Sequence, residues 1–458
     1  MTSQTIAAIA TPLAVGGVAM IRISGSGAIE AADRVFHTAG GKKLCEKKGY
    51  EAAYGTIGLE GKPALDDGVA LVYRAPKSYT GEDVVEISCH GGILITRQVL
   101  RLILEQGVRM AEPGEFSKRA FLNGKMSLTQ AESIMDLIQS QNTQAMRSAR
   151  AQMDGALFRK IQQVKDQLIG VAGHLAAWVD YPEEEIEELD PEHFMDTLQS
   201  AKTAVDQLLS TFDTGKLLRE GIETAIVGKP NVGKSTLMNL LAGCEKSIVT
   251  DIAGTTRDVV EEQVNLGNAV LRLADTAGIH STDDVVEQFG VEKALERIRT
   301  AGLVLAVFDY SVPLTEDDRR IIGAIREQNI PAIGVINKTD LPRQLEEEEL
   351  KKEFAHLVFT SVEDPQAVAL LSREIEQVLS LSEVDPAAAM LSNERQRMCS
   401  IRAQEALADT IATLQYGYTL DAVSVSLDTA IEALLELTGE RVTDTVVDQV
   451  FHNFCVGK

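Results

Sequence analysis

The feature that most constrains the fold is the run Gly228-Lys-Pro-Asn-Val-Gly233-Lys234-Ser235, which follows the apolar stretch Ala225–Val227 and opens a helical segment. Strand, glycine-bearing turn and helix in that order make a phosphate-binding loop. Successive backbone N–H groups point into such a turn, and glycines let the chain follow it without Cβ clashes. The motif places the Lys234 ammonium against the β- and γ-phosphates and offers the Ser235 hydroxyl to Mg²⁺. A chain with 35 glycines can carry such a run by chance, so its neighbours decide.

Three further segments stand at expected strand ends. Asp275-Thr276-Ala277-Gly278 follows the apolar run Val270–Ala274. Its carboxylate can reach Mg²⁺ through water, and its last N–H can meet the γ-phosphate. Asn337-Lys338-Thr339-Asp340 follows Ala332–Ile336. Asp340 can accept hydrogen bonds from N1–H and the 2-amino group of guanine. Adenine offers neither, and a buried Asp340 left unpaired would make ATP a poor ligand. Ser361 and Val362, after an expected strand His356–Thr360, fit a base-contacting loop, with valine where alanine is usual.

Between the first two motifs lies a switch-like loop, Thr250-Asp251-Ile252-Ala253-Gly254-Thr255-Thr256-Arg257-Asp258, with Thr256 as candidate second Mg²⁺ ligand. The expected GTP site therefore comprises Asn231, Val232, Gly233, Lys234, Ser235, Thr236, Thr250 to Thr256, Asp275 to Gly278, Asn337 to Asp340, Ser361 and Val362. Ile279 stands where a Ras-type enzyme has a water-orienting glutamine. Glu287 is the candidate for that work, through a bridging water; from spacing alone, a solvated surface glutamate is the plainer reading.

The rest of the chain is read around this site. Its 458 residues suggest two to four domains. Residues 1–122 mix short alternating runs (Thr5–Ala10, Val18–Ser24, Val69–Tyr73, Val84–Ser88) with one apolar helix near Ile93–Leu104, an α+β pattern. From 123 to 215 the spacing is helical: Ser127 and Gln130 form a capping box, apolar periodicity runs to Trp178, Pro182 with Glu183–Glu188 stops it, and another helix covers 193–212. Residues 216–382 alternate strands and helices, a doubly wound α/β domain, and 383–458 return to helix. The expected fold is a multidomain α/β protein with a Ras-like P-loop domain inserted into a discontinuous helical one.

Lys plus Arg number 44 against 68 Asp plus Glu, a net charge of −24. This excludes a surface basic throughout and leaves room for a local basic groove. Five scattered cysteines lack the close pairing of a zinc site and fit a reducing compartment. Thr2–Ile21 is uncharged, but no Lys or Arg precedes it, and Pro12, Gly16 and Gly17 interrupt it, unlike a signal peptide. With no apolar run of about 18 residues, the expectation is a soluble, cytoplasmic protein without a membrane partner.

Several segments outside the nucleotide motifs are distinctive: Thr5-Ile-Ala-Ala-Ile-Ala-Thr-Pro12, Gly16-Gly17-Val18, Arg22-Ile-Ser-Gly25, Tyr79-Thr-Gly-Glu82-Asp83, His90-Gly91-Gly92, Pro113-Gly-Glu-Phe116 with Arg119-Ala-Phe-Leu-Asn123, and the terminal Phe454-Cys455-Val-Gly-Lys458; within the switch loop, so is Gly254-Thr-Thr-Arg-Asp258. With them the chain resembles, end to end, the MnmE (TrmE) family of tRNA-modification GTPases. The resemblance implies an N-terminal folate-binding domain that dimerises, with Arg22, Glu86, Lys125 and Lys458 at the positions that contact a 5-formyl- or methylene-tetrahydrofolate. A strand-surface ion pair is the plainer reading of Arg22 and Glu86. It also implies potassium in place of an arginine finger, on Asn231, Thr250, Ile252 and Thr255, and makes Glu287 the water-orienting residue. Cys455 matches a tail cysteine near the folate pocket, which a packed helix-end thiol would equally explain.

The chemistry implied is installation of an aminomethyl-type group, commonly carboxymethylaminomethyl, at C5 of the wobble uridine of certain tRNAs, with the FAD-containing partner MnmG (GidA) and with G-domain approach driven by GTP hydrolysis. Leu13-Ala14-Val15 replaces a more polar loop, and His280 stands where an arginine is expected. The acidity of the chain opposes phosphate binding, which implies that the partner supplies most of the basic surface. A regulatory or ribosome-assembly GTPase would share residues 221–380 but does not require the N-terminal block or the Cys455 tail. A prenylated, membrane-anchored GTPase fits poorly with Gly457-Lys458 and the lack of a polybasic segment.

Overall fold

The computed structural model describes residues 4–180, 191–243, 262–273, 290–361, 364 and 366–458. Contacts divide the chain into two compact units, residues 1–135 with 428–458, and residues 136–427.

The first unit is built on a seven-stranded sheet. Its strands are β1 (Ile6–Ile9), β2 (Val18–Ser24), β3 (Phe36–Thr38), β4 (Glu51–Ile57), β5 (Asp66–Tyr73), β6 (Val84–His90) and β7 (Arg109–Met110), ordered β3-β4-β5-β6-β2-β1-β7. The alternating runs at the N-terminus are β1 and β2, paired antiparallel with Ile6 opposite Ser24. β5 and β6 extend beyond their apolar stretches to Asp66 and His90. β4 has little apolar alternation of its own; pairing with β5 over seven positions makes it a strand.

Helices α1 (Ala28–Asp33) and α2 (Ile93–Leu104) cover one face. Buried Val99, Leu100 and Ile103 of α2 have the spacing of one helical stripe, and they belong to one core with Ile21, Ile23, Val72, Val85 and Ile87. Alternation places Met20, Arg22, Leu71, Tyr73, Glu86 and Ser88 on the opposite face, where they are half-buried. After β7 come α3 (Glu115–Leu122) and α4 (Leu128–Gln139). The expected capping box opens α4: Ser127 N–H donates to Gln130 Oε1 at 3.0 Å and Gln130 N–H to Ser127 Oγ at 3.2 Å.

The second unit contains α5 (Thr143–Met153), α6 (Ala156–Asp180), α7 (Pro191–Ser210) and α8 (Phe212–Glu220). The single helical run expected from Ser127 to Trp178 is three helices. Asn142 caps α5 by accepting from Ala145 N–H at 2.8 Å, and Gly155, at φ +89°, turns the chain before α6. The stop expected at Pro182 and Glu183–Glu188 lies outside the described residues. α8 was not anticipated as a separate helix.

The α/β part follows: β8 (Ile222–Val227), α9 (Lys234–Ala242), β9 (Glu262–Leu266), β10 (Ala269–Leu273), α10 (Gly290–Thr300), β11 (Leu303–Asp309), α11 (Glu316–Gln328), β12 (Ala332–Asn337), α12 (Glu347–Glu353), β13 (Leu357–Phe359) and α13 (Ala367–Val378). The sheet order is β13-β12-β11-β8-β10-β9, parallel except for the β9–β10 hairpin. All seven residues of β11 are buried, as a parallel strand covered on both faces requires. The chain passes from β8 to β10 on one side and returns to β11 on the other. The carboxyl end of β8 is therefore the switch point where such sheets bind ligands. α14 (Glu394–Gln415) then packs on α7, and α15 (Leu420–Thr438) and α16 (Asp444–His452) complete the chain. The expected classes are present: an α+β N-terminal part, helical segments and a Ras-like P-loop domain. Among the described residues, no helix is long and apolar enough to cross a membrane.

Candidate functional site

β8 delivers the chain into the phosphate loop. Gly228, Asn231 and Gly233 have φ of +154°, +64° and +98°, and Gly233 is the left-handed N-cap of α9. A Cβ on Gly233 would stand 2.0 Å from Asn337 Nδ2, and one on Gly228 would stand 2.5 Å from the Val307 oxygen. Both positions therefore need glycine for backbone angle and for room. Left-handed residues at these positions suit a nest of inward N–H groups, to which α9 adds the positive end of its dipole. That arrangement fits a phosphate. Buried Val232 pins the loop to the apolar core. Lys234 Nζ donates to the carbonyls of Gly228 (2.9 Å) and Lys229 (2.8 Å), so the ammonium lies over the loop. Ser235 is exposed in the first turn of α9, open to a hard cation, and Thr236 follows it half-buried.

The segment expected to read the base is tied to this loop. Buried Asn337 donates Nδ2 to the Val232 carbonyl at 2.9 Å. Lys338, at φ +64°, donates Nζ to the Asn231 carbonyl and to Asp309 Oδ2, both at 2.6 Å. Burial pushes the Asp309 carboxyl up, but hydrogen bonds from Lys338 and Ser311 outweigh it and hold the group below the usual aspartate range. Thr339 donates through N–H (3.3 Å) and Oγ1 (3.2 Å) to the Thr360 carbonyl, next to buried Ser361.

Asp340 is a correction. It is exposed, not buried, because Leu341 N–H closes a tight turn onto the Lys338 carbonyl at 3.0 Å and carries the carboxylate outward. An exposed carboxylate there is free to accept two hydrogen bonds, the pattern that guanine offers and adenine does not.

Sequence reasoning also missed Asp318. Nearly fully buried, it caps α11 by accepting from Thr315 N–H and Oγ1 at 2.8 Å, and it accepts from Lys229 Nζ at 2.7 Å. The spacing Thr315-x-x-Asp318 before an apolar periodic run was the available signal. Thr250 to Thr256, Asp275 to Gly278, His280, Glu287 and Val362 lie outside the described residues.

A second cluster forms in the first unit. Register pairs Arg22 of β2 with Glu86 of β6, and Arg22 Nε donates to Glu86 Oε1 at 2.9 Å. Arg22 Nη1 donates to the Gly457 carbonyl at 3.0 Å, and its guanidinium lies over the rings of Tyr79 (5.4 Å) and Phe116 (5.6 Å). The Tyr73 hydroxyl donates to Glu86 Oε2 at 3.3 Å. The tail reaches this place through Gly457, at φ +97°, where a Cβ would stand 2.5 Å from the Ile9 oxygen. Phe451 packs on Phe121 and Phe454, and Phe116 N–H donates to the Lys458 oxygen at 3.2 Å.

Burial and the Arg22 charge hold the Lys458 ammonium below the ordinary lysine range. Cys455 is half-buried, and its carbonyl accepts from Lys458 N–H at 3.2 Å. Lys125 goes elsewhere: it is exposed and donates to the Pro76 carbonyl at 3.0 Å. Two cations, one carboxylate and two phenols around a half-buried strand pair suit an anionic ligand with hydrogen-bonding ring edges. Tyr73 was not singled out from the sequence, and Tyr79 and Phe116 were noted only within motifs.

Family models cover both parts of the chain. Residues 5–125 match a model described as GTP-binding protein TrmE N-terminus, and residues 128–455 match one described as MnmE helical domain. The chain is 42% identical over 461 residues to the tRNA modification GTPase MnmE of Geobacillus kaustophilus, covering 99% of each chain. It is 42% identical over 464 residues to that of Bacillus cytotoxicus, covering 100% of each. Among solved structures, Era of Aquifex aeolicus bound to GDP and AlF4⁻ aligns over 40% of this chain and 66% of its own, at 30% identity and a TM-score of 0.25.

Proposed function

The chain belongs to the MnmE (TrmE) family of tRNA modification GTPases, and on that premise we propose how its two clusters share one reaction. It is a GTP hydrolase that acts in tRNA modification. The finer reading is that it installs an aminomethyl-type (carboxymethylaminomethyl) group at C5 of the wobble uridine, with an FAD-containing partner protein and a one-carbon tetrahydrofolate. The division at residues 122, 215 and 382 into folate-binding, helical and G domains is part of the proposal.

The observation that carries it is the bond from Arg22 to the Gly457 carbonyl beside Glu86. A GTPase acting only as a switch has no need of a C-terminal tail built into a cationic pocket of its N-terminal part. In this reading Arg22 and Lys458 attract the anionic glutamyl tail of the folate, and Glu86 accepts from pterin N–H groups. Lys125, on the rim, meets the ligand from outside. The folate, when bound, supplies the one-carbon unit. The outer sheet face, where exposed Tyr54 and Val69 are register partners, supports dimerisation through this part.

At the G domain, the nest and Lys234 hold the phosphates, and Ser235 with Thr256 is assigned to Mg²⁺. Asn231, whose left-handed backbone turns the loop, is assigned with Thr250, Ile252 and Thr255 to potassium. Potassium, when bound, supplies positive charge against the transferring phosphoryl group. Glu287 is assigned to orient water, and hydrolysis to drive the approach of two G domains.

Hydrolysis measured in potassium and in sodium buffers, with Glu287→Ala beside wild type, tests this half. Faster turnover in potassium and a slow variant with intact GTP affinity are expected. Equal rates in both salts would remove the potassium assignment. Calorimetric titration of 5-formyltetrahydrofolate into wild type and Arg22→Ala tests the other half, and equal affinity in the two would remove the pocket.

A further inference from the structure

The negative charge of this chain is unevenly placed. Residues 136–427 hold 27 Lys and Arg against 48 Asp and Glu, whereas residues 1–135 with 428–458 hold 17 against 20. Within the latter, Lys42-Lys43-Leu44-Cys45-Glu46-Lys47-Lys48 puts four lysines in seven residues, a density that no other seven-residue window reaches.

The loop is built rather than loose. Leu44 is fully buried and anchors it. The Asp33 carboxylate accepts from the N–H groups of Leu44 (2.5 Å) and Cys45 (2.9 Å). Arg74 Nη2 donates to the carbonyls of Cys45 (2.7 Å) and Lys47 (3.2 Å). Lys42, Lys43 and Lys48 are left exposed, as is Lys77 beyond Arg74. Three nearby carboxylates are engaged, Asp33 as above, Glu46 with Lys43 N–H at 3.2 Å and Asp83 with Ala75 N–H at 2.8 Å, and Glu51, half-buried, follows Tyr50 at the start of β4.

The residue that leaves this loop is Tyr50. Its backbone is left-handed, at φ +66°, which is unfavourable for a bulky side chain, yet its ring is 64% exposed. A strained conformation that buries little points to function rather than packing. The Tyr50 ring meets the edge of Tyr73 at 5.5 Å, and Tyr73 hydrogen-bonds Glu86, the partner of Arg22. Exposed lysines beside an exposed aromatic ring are what single-stranded nucleic acid requires: charge for phosphates and a flat face for a base.

We propose that the Lys42–Lys48 loop and Tyr50 form a tRNA-binding surface, the lysines on backbone phosphates and the Tyr50 ring stacked on an unpaired base. That contact brings the base to the Tyr73–Glu86–Arg22 end of the sheet. The proposal rests on the reading of this chain as a tRNA-modifying enzyme. It gives the chain a basic surface of its own where the sequence suggested that the partner supplies most of it. An acidic peptide would satisfy the lysines but would leave the exposed ring without a planar partner.

Binding of fluorescein-labelled unmodified tRNA to the full chain, followed by anisotropy over a potassium chloride series, tests it. The triple variant Lys42→Ala, Lys43→Ala, Lys48→Ala is expected to bind at least about tenfold more weakly near physiological salt, with a salt slope smaller by about 2–3. Its GTPase rate and unfolding temperature stay at the wild-type values. Tyr50→Asn, which tolerates the left-handed backbone, is expected to lose about tenfold, and Tyr50→Phe to bind as wild type. A triple variant with wild-type affinity and slope overturns the proposal, as does Tyr50→Asn binding like wild type. Polyglutamate competing as well as tRNA reassigns the surface to an acidic protein. A wild-type chain that hydrolyses GTP but binds no tRNA overturns the surface, while the tRNA reading itself stands or falls on nucleoside analysis with the FAD-containing partner present.

Discussion

Asn337, at the end of β12, donates its side-chain amide to the Val232 carbonyl inside the phosphate loop, 2.9 Å away and shielded from water. The segment proposed to read the base and the loop proposed to hold the phosphates are therefore one mechanical piece. Asn337→Ala leaves a buried carbonyl without its donor. It should cost about 1–3 kcal/mol of G-domain stability and lower GTP affinity at least about tenfold. Thermal unfolding and titration with a fluorescent GTP analogue check both; a variant with unchanged affinity would mean the tie is only structural.

Asp340 is expected to select the base through hydrogen bonds to guanine. Asp340→Asn should weaken GTP binding and improve relative binding of xanthosine triphosphate, because its amide can donate where the carboxylate could only accept. Competition among GTP, XTP and ATP reads this out. If ATP competes as well as GTP in the wild type, the assignment of Asn337 to Asp340 is wrong.

How much of this was legible in the sequence depends on which interaction fixes each element. The parallel strands announced themselves because burial on both faces demands continuous apolar runs, as in Leu303–Phe308. β4 did not, since pairing with β5 rather than its own pattern defines it. Helical periodicity ran through the breaks before α5 and α6, because the Asn142 cap and the Gly155 turn interrupt the backbone without interrupting the apolar stripe. The phosphate loop was readable since its glycines are local necessities. The Arg22 cluster was not, apart from the family resemblance: its partners lie 64 and 435 positions away, and only tertiary structure brings them together.

The Asp309–Lys338 pair predicts an acid-side response. The folded pKa of Asp309 is depressed, so its stabilising contribution is present above its unfolded value, near 3.8, and is lost as pH falls through the lower folded value. Lys338→Met removes the main group that offsets burial, so the Asp309 pKa should rise. Acid unfolding followed by circular dichroism should then begin at higher pH than in wild type. Coincident acid transitions would show that the pair contributes nothing to stability.

The tail offers a separation of activities. Gly457→Ala forces a side chain into a left-handed position 2.5 Å from the Ile9 oxygen, and should pull the Gly457 carbonyl off Arg22 and displace Lys458 with it. Deleting Cys455–Lys458 should act likewise. Both changes are expected to abolish tRNA modification while GTP hydrolysis survives. Measuring both activities on the same preparation decides: full modification would return the tail to a frayed chain end, and loss of both activities would indicate general unfolding.

The most direct measurement is of the product. The purified chain, its FAD-containing partner, unmodified tRNA, GTP and a one-carbon tetrahydrofolate are combined in potassium buffer, and the tRNA is digested to nucleosides for mass spectrometry. The expected result is a C5-substituted wobble uridine that appears with GTP and is absent when a non-hydrolysable analogue replaces it. GTP consumed with the wobble uridine unchanged in every reaction would contradict the account.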